Sequence, residues 1–266
     1  MNLIKQTFIN CKKQGRPALL TFTVAGDNTH KNSLEILKSI SPFVDICEIG
    51  MPHSTPVADG GQIQNCSHRA LKNGITTKGI FKIVNKYKKF KESKPIILMG
   101  YFNTIKQFGE KNFINECRKK GVDGLIVVDL PWPENKKFAK KCKAKSINFI
   151  QLIAPTTSNI RLKKIIRDSH DMVYYISMLS TTGGKLKVAP KIIMKNYKKI
   201  KKINKNKNIV IGFGITEKTI KSLKDSDGLV VGSALCKSIS DSINKGKKPA
   251  FAAGKMVKKL KSLIVQ

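Results

Sequence analysis

Short apolar, β-branched runs recur along the chain at regular spacing: Ala18–Ala25, Phe43–Met51, Pro95–Tyr101, Gly124–Pro131, Asn148–Pro155, Met172–Met178, Asn208–Ile215 and Gly228–Leu235. Most are apolar at consecutive positions rather than alternating ones, the pattern of parallel strands covered on both faces. Lys-rich segments with helical periodicity lie between them. Ile80, Ile83, Val84 and Tyr87 make one apolar stripe, and Ile192, Ile193, Tyr197 and Ile200 another. Gly74 and Gly121 stand where helices should stop before the next element. Eight strands alternating with helices over 266 residues predict one (β/α)8 TIM barrel spanning residues 1–266. An additional N-terminal helix, about residues 2–13, is expected to cover the barrel bottom. A doubly wound sheet is disfavoured, because Ala25-Gly26-Asp27 after the first strand is not the GxGxxG turn that such a sheet would use.

Composition changes this picture little. Lys plus Arg number 51 against 17 Asp plus Glu, a formal charge of +34. Only five of the 51 are Arg, the residue that reads phosphates and bases bidentately, so the excess reads as solvated outer surface rather than a nucleic-acid footprint. No apolar run reaches the length of a membrane span, and the Met-Asn-Leu-Ile-Lys start has no signal-peptide character. The six cysteines form no CxxC pair and read as small hydrophobes in a reducing cytoplasm. Four scattered histidines give no expectation of a metal site.

In a barrel of this kind the chemistry gathers where strands end and the following loops begin. Gly212-Phe213-Gly214 after the seventh strand and Gly232-Ser233 after the eighth predict a phosphate cradle, since backbone N–H groups approach closely where no Cβ intervenes. Glu48 shares a face with Val44 and Ile46 and has no cation nearby in sequence, which marks it as a general acid/base candidate. Asp59, in the Pro-rich loop Met51–Gly61, reads equally as turn residue or functional carboxylate. Asp27 and Asp129 read as loop or cap groups. Phe22 and Tyr101 read as core or as pocket wall, and His68 as helix surface.

The segment Glu48-Ile-Gly-Met-Pro-His-Ser-Thr-Pro-Val-Ala-Asp59-Gly, followed by Ile63-Gln64, closely resembles the signature of the tryptophan synthase alpha chain family. Met99–Asn103, Gly121–Pro131, Ala154–Thr157, Tyr174–Ser177, Gly212–Ile215 and Gly232–Ala234 extend the resemblance from about residue 3 to the C-terminus. It implies a cytoplasmic lyase that splits indole-3-glycerol phosphate into indole and glyceraldehyde 3-phosphate, with Glu48 and Asp59 as the catalytic pair. Phe22, Tyr101 and Tyr174 would line the indole pocket, Tyr174 bonding near the Glu48 carboxyl. Gly183, Gly212, Phe213, Gly214, Gly232 and Ser233 would hold the phosphate, and Thr182 would close over the site and position Asp59.

The resemblance also implies a beta chain partner in an α2β2 assembly, which carries pyridoxal phosphate and joins indole to serine. No cofactor is implied for this chain, nor any nucleic acid or membrane partner. Four positions depart from the family pattern: His53 where Phe or Tyr is usual, Thr55 for Asp or Glu, Gly61 for Pro, and Ser180 for a loop Gly. They leave open an alpha-like subunit of low intrinsic activity that mainly activates its partner. Another phosphate-binding barrel enzyme is a further alternative.

Overall fold

The computed structural model describes residues 2–177 and 188–265. The chain begins α1 (Leu3–Lys13), β1 (Ala18–Val24), α2 (His30–Ile40), β2 (Ile46–Gly50), α3 (Gly61–Lys72), α4 (Thr77–Lys88) and β3 (Ile96–Gly100). It continues α5 (Phe102–Phe108), α6 (Glu110–Lys120), β4 (Gly124–Val127), α7 (Lys136–Ala144), β5 (Asn148–Phe149), β6 (Gln151–Ile153) and α8 (Asn159–Asp168). Then come β7 (Met172–Ile176), α9 (Pro190–Ile203), β8 (Asn208–Gly212), a short 3-10 turn, β9 (Gly228–Val231), α10 (Ser233–Asn244) and α11 (Pro249–Ser262).

All the strand pairs are parallel, in the order β5-β4-β3-β2-β1-β9-β8-β7-β6. The two outermost strands of that order are neighbours in sequence, separated only by Ile150. Its N–H still bonds the Leu125 carbonyl at 2.9 Å, so β5 and β6 are two parts of one broken strand. The first part pairs with β4 and the second with β7. The ring therefore closes as the predicted eight-stranded barrel, with nine strand segments because the fifth is interrupted. The strands are shorter than the apolar runs; Phe43 and Val44 belong to the turn after α2, each donating its N–H to the Ile40 carbonyl.

The N-terminal helix lies where it was expected. Asn2 caps α1 by accepting from the Lys5 N–H, and Ile4 and Phe8 point up into the barrel bottom. Glycines make room for them: a Cβ on Gly124 would stand 3.0 Å from Ile4, and one on Gly228 3.2 Å from Phe8. Gly74 and Gly121 both have φ near +80°, left-handed stops as the sequence indicated.

All four residues of the α4 stripe are buried. On α9 the stripe is narrower, with Ile193, Tyr197 and Ile200 buried and Ile192 52 % exposed. The spacing i, i+4, i+7 keeps three residues on the barrel side, while Ile192 sits 100° around the helix from its neighbour. All six cysteines are buried and unpaired. Among the described residues no helix is long and apolar enough to cross a membrane.

Candidate active site

Strand alternation turns Phe22, Met99, Leu152, Tyr174 and Val230 into the lumen, where they wall a cavity of about 430 Å³ at the C-terminal ends of the strands. Ile63, Val128, Ile176, Phe213 and Ile215 add to its apolar lining, while Asp59, Thr156 and Ser233 supply polar atoms. Phe22 is both core and wall: its ring is buried, and it fills the space over Gly50, where a Cβ would meet it at 2.5 Å.

Glu48 stands directly across the β1–β2 ladder from Phe22, and across the β2–β3 ladder from Ile97. It is therefore an inward-facing residue, only 1 % exposed. Neither carboxyl oxygen has a hydrogen-bond partner among the described residues. With nothing to stabilise the charge, burial alone pushes the carboxyl up to about 8. The expected bond from Tyr174 is not formed. The Tyr174 hydroxyl instead lies over Gly212, where a Cβ would meet it at 2.2 Å, and Gly212 is thus the residue that lets the ring lie flat there. The two groups still interact, because burial and the nearby Glu48 both raise the Tyr174 phenol well above its ordinary value.

Asp59 is reached by the loop from β2 to α3, whose turn is fixed by the Asp59 N–H on the Pro56 carbonyl at 3.0 Å. Tyr101, at the end of β3, donates its hydroxyl to Asp59 Oδ2 at 3.4 Å and accepts the Ala58 N–H at 3.0 Å. One phenol thereby ties the loop to the barrel and aims its carboxylate. Burial raises the Asp59 carboxyl to about 6, while Tyr101 and His53 pull the other way. The His53 ring packs on Tyr101 with centroids 4.7 Å apart, and its Nδ1 accepts the Thr55 N–H at 3.1 Å.

The two glycine-bearing turns come together on the opposite wall. After β8, Phe213 and Gly214 have φ of +79° and +72°. A left-handed phenylalanine is rare and marks a backbone held by its surroundings. Ser177 supplies part of that hold, donating its hydroxyl to the Gly212 carbonyl at 2.8 Å and the Phe213 carbonyl at 3.1 Å. After β9, Gly232 leads into α10 with no side chain capping the helix start. The first N–H groups of α10 thus remain open beside the cavity, where Gly232 and Ser233 line it.

Glu48, Asp59, Phe22, Tyr101, Tyr174, Phe213, Gly214, Gly232 and Ser233 are therefore gathered around one end of the barrel; Thr182, Gly183 and Ser180 lie outside the described residues. Asp129 is a cap group as expected, accepting the Phe102 N–H at 2.7 Å. Asp27 is a loop group, also as expected, and is buried in a bidentate pair with Arg69, at 2.8 and 3.0 Å. Its partner lies 42 residues away, beyond any sequence pattern. The cavity walls Met99, Leu152, Thr156 and Ile176 were not singled out from sequence, although strand alternation from Phe22 and Tyr174 points to the three aliphatic ones. His68 is exposed on α3. Among the described residues no group of three or more His, Cys, Asp or Glu could hold a metal ion.

Comparison with known proteins places these observations in a family. The family model described as "Tryptophan synthase alpha chain" matches residues 8–265. A protein of that name from Pelagibacter ubique is 69 % identical over 264 residues, covering 99 % of this chain and all of the relative. The crystal structure of tryptophan synthase subunit alpha from Legionella pneumophila superposes with a TM-score of 0.92 at 28 % identity, covering 99 % of this chain and 98 % of the other. A structure of the tryptophan synthase α2β2 complex from Pyrococcus furiosus matches at 34 % identity and a TM-score of 0.82, over 91 % of this chain and 97 % of that one.

Proposed function

The chain belongs to the tryptophan synthase alpha chain family, and on that premise we propose that it cleaves indole-3-glycerol phosphate to indole and glyceraldehyde 3-phosphate with Glu48 and Asp59 as its catalytic carboxyls. It is an enzyme subunit of the lyase type. The observation that carries the reading is the contrast between two carboxyls at one barrel mouth, one raised to about 8 and the other to about 6. At neutral pH the first holds its proton and the second has lost it, which makes Glu48 the group that exchanges protons and Asp59 a fixed negative charge.

In the retro-aldol step a proton is delivered to indole C3, and the hydroxyl on the adjoining glycerol carbon gives one up. The bond between C3 and that carbon then breaks. Its electron pair returns to the ring, and the hydroxyl carbon leaves as the aldehyde. Protonated Glu48 supplies the first proton and, as carboxylate, takes the second, so it ends the cycle as it began. Glu48 does not line the empty cavity, so in this reading it turns about its side-chain bonds to meet the substrate. Asp59, ionised and aimed by Tyr101, accepts the indole N–H as that nitrogen gains positive character. The apolar walls hold the ring, while the Gly212–Gly214 turn and the start of α10 receive the phosphate. The family resemblance adds Gly183 to that cradle and Thr182 as the contact of Asp59.

The partner in this reading is a beta chain that takes up the indole and carries the pyridoxal phosphate, in an α2β2 assembly like that of the Pyrococcus furiosus complex; this chain itself uses no cofactor and works in the cytoplasm. The test is indole release from indole-3-glycerol phosphate by the isolated chain and by the chain with a beta partner. Wild type should release indole in both, and Glu48→Gln in neither. Release by Glu48→Gln at the wild-type rate contradicts the assignment. A wild-type chain inert alone and with its partner, while the partner's own turnover rises, favours an activating subunit instead.

A further inference from the structure

The opposite, lower end of the barrel holds a second concavity, an open groove of about 800 Å³ between α7, α8 and the loops that lead into β5, β7 and β8. Six of its sixteen lining residues are Lys or Arg, twice the share in the whole chain. Only two, Asp168 and Asp171, are carboxylates, which leaves four positive charges in surplus. Asp168 is already shared by Arg167, Lys136 and the Trp132 indole N–H, and Asp171 accepts from Asn2. Arg118, Lys140 and Lys143 have no carboxylate within 4 Å among the described residues.

Helix dipoles account for part of this. Arg118, Lys143 and Arg167 stand in the last turns of α6, α7 and α8, where a cation is favoured. They do not account for the rest. Lys136 opens α7, the end at which the dipole repels a cation, and Lys140 follows one turn later on the same face. Lys207 is held half-buried with its ammonium on the Ser169 and His170 carbonyls, and burial lowers its pKa. His170 feels the same field: its pKa falls through burial first, then through Lys143 and Lys207, with Asp171 pulling the other way. A concave wall focuses such a potential.

We propose that this groove is a binding site for a compact polyphosphate anion, distinct from the catalytic mouth at the other end of the barrel. The two Arg forks suit phosphate oxygens. A triphosphate, about −4 near neutral pH, matches the surplus in charge. No aromatic side chain lines the groove, apart from the His170 ring, so the phosphates rather than a base are recognised.

The experiment titrates sodium tripolyphosphate into the whole chain at ~150 mM salt by calorimetry, with glycerol 3-phosphate saturating the upper cradle. The same titration is followed by NMR of the His170 ring. One equivalent should bind and raise the His170 pKa as the surplus charge is neutralised. Lys140→Gln with Lys143→Gln, both exposed, should weaken binding at least about tenfold. Lys198→Gln with Lys202→Gln, exposed on α9 and equal in charge removed, should leave it within about twofold. ATP should bind no more tightly than tripolyphosphate. Equal loss in both double variants, or an unmoved His170, overturns the proposal in favour of diffuse surface charge. ATP bound about tenfold more tightly than tripolyphosphate overturns it in favour of a base-reading nucleotide site.

Discussion

Two groups of barrel carboxylates are treated in opposite ways: three aspartates at the lower end, and Glu48 with Asp59 at the upper. At the lower end three aspartates sit just ahead of, or between, strands, and each is locked in place. Asp45 accepts from Arg16 at 2.7 Å, Lys261 at 2.9 Å and the Leu19 N–H at 2.8 Å. Asp227 holds Lys201 at 2.7 Å and the Ile209 N–H at 2.9 Å, and Asp123 holds Lys88 at 3.3 Å and the Ile96 N–H at 2.8 Å. At the upper end Glu48 has no partner among the described residues, and Asp59 has one phenol at 3.4 Å. In a chain with 51 cations and 17 carboxylates, a buried carboxylate with neither a cation nor a hydrogen bond among the described residues stands apart. Electrostatics at the lower end fastens strands to helices, as the Asp27–Arg69 pair does at the upper end; around Glu48 and Asp59 it leaves two groups at the edge of protonation.

Partnership rather than depth separates the two classes. Burial raises every one of these carboxyls for which a shift is resolved, but in Asp45 the Arg16 and Lys261 contacts outweigh it and the net shift is downward. Asp123, with one longer lysine contact, is left raised by its burial. Glu48 has burial alone.

The comparison breaks first if Glu48→Gln retains activity. The expected loss is at least about 10³-fold in indole release, with the native circular dichroism spectrum kept. The same variant sharpens the energetic side. A folded pKa near 8 against about 4.5 unfolded means that the folded state binds the extra proton. The stability this contributes is complete below pH 4.5 and is lost as pH rises to 8. Glu48→Gln should therefore gain on wild type in thermal unfolding as pH rises, by roughly 3–5 kcal/mol at pH 9.

Asp45→Asn should do the reverse. Indole release stays unchanged while neutral-pH stability falls by about 3 kcal/mol in urea unfolding, because Arg16 and Lys261 lose their counter-charge. Since the Asp45 pKa is depressed, its stabilisation exists above the ordinary carboxylate pKa and is lost in acid, so the two proteins should converge toward pH 3. Tyr101→Phe removes the side-chain donor that Asp59 has among the described residues. The Asp59 pKa should rise, moving the acidic limb of the kcat/KM profile to higher pH and lowering the neutral rate by about tenfold. The smallest effect belongs to Gly214→Ala, which forces a Cβ onto φ of +72°. It should cost about 1 kcal/mol and raise KM a few-fold with little change in kcat.

Much of the barrel was legible because its signal is local. Runs such as Ala18–Val24 are apolar at both parities, and the Gly turns at 212–214 and 232 interrupt them where the cavity opens. Glu48 stood out for the same reason, as a charge inside an apolar run. What escaped were features made by the ring closing on itself. The break at Ile150 depends on two neighbouring strands, the Asp27–Arg69 pair joins a strand end to α3, and the left-handed Phe213 is held by Ser177 from another strand. The Tyr174–Glu48 bond implied by family resemblance failed on a steric detail, the open space over Gly212 that draws the ring aside.

Glu48 is a buried carboxyl without a partner among the described residues, and on that ground it should keep its proton at neutral pH. Infrared difference spectroscopy of wild type against Glu48→Gln, titrated from pH 4 to 10, measures that proton directly. A protonated carboxyl band should persist through pH 7 and disappear with a midpoint near 8. A band that disappears near pH 4.5 would contradict it.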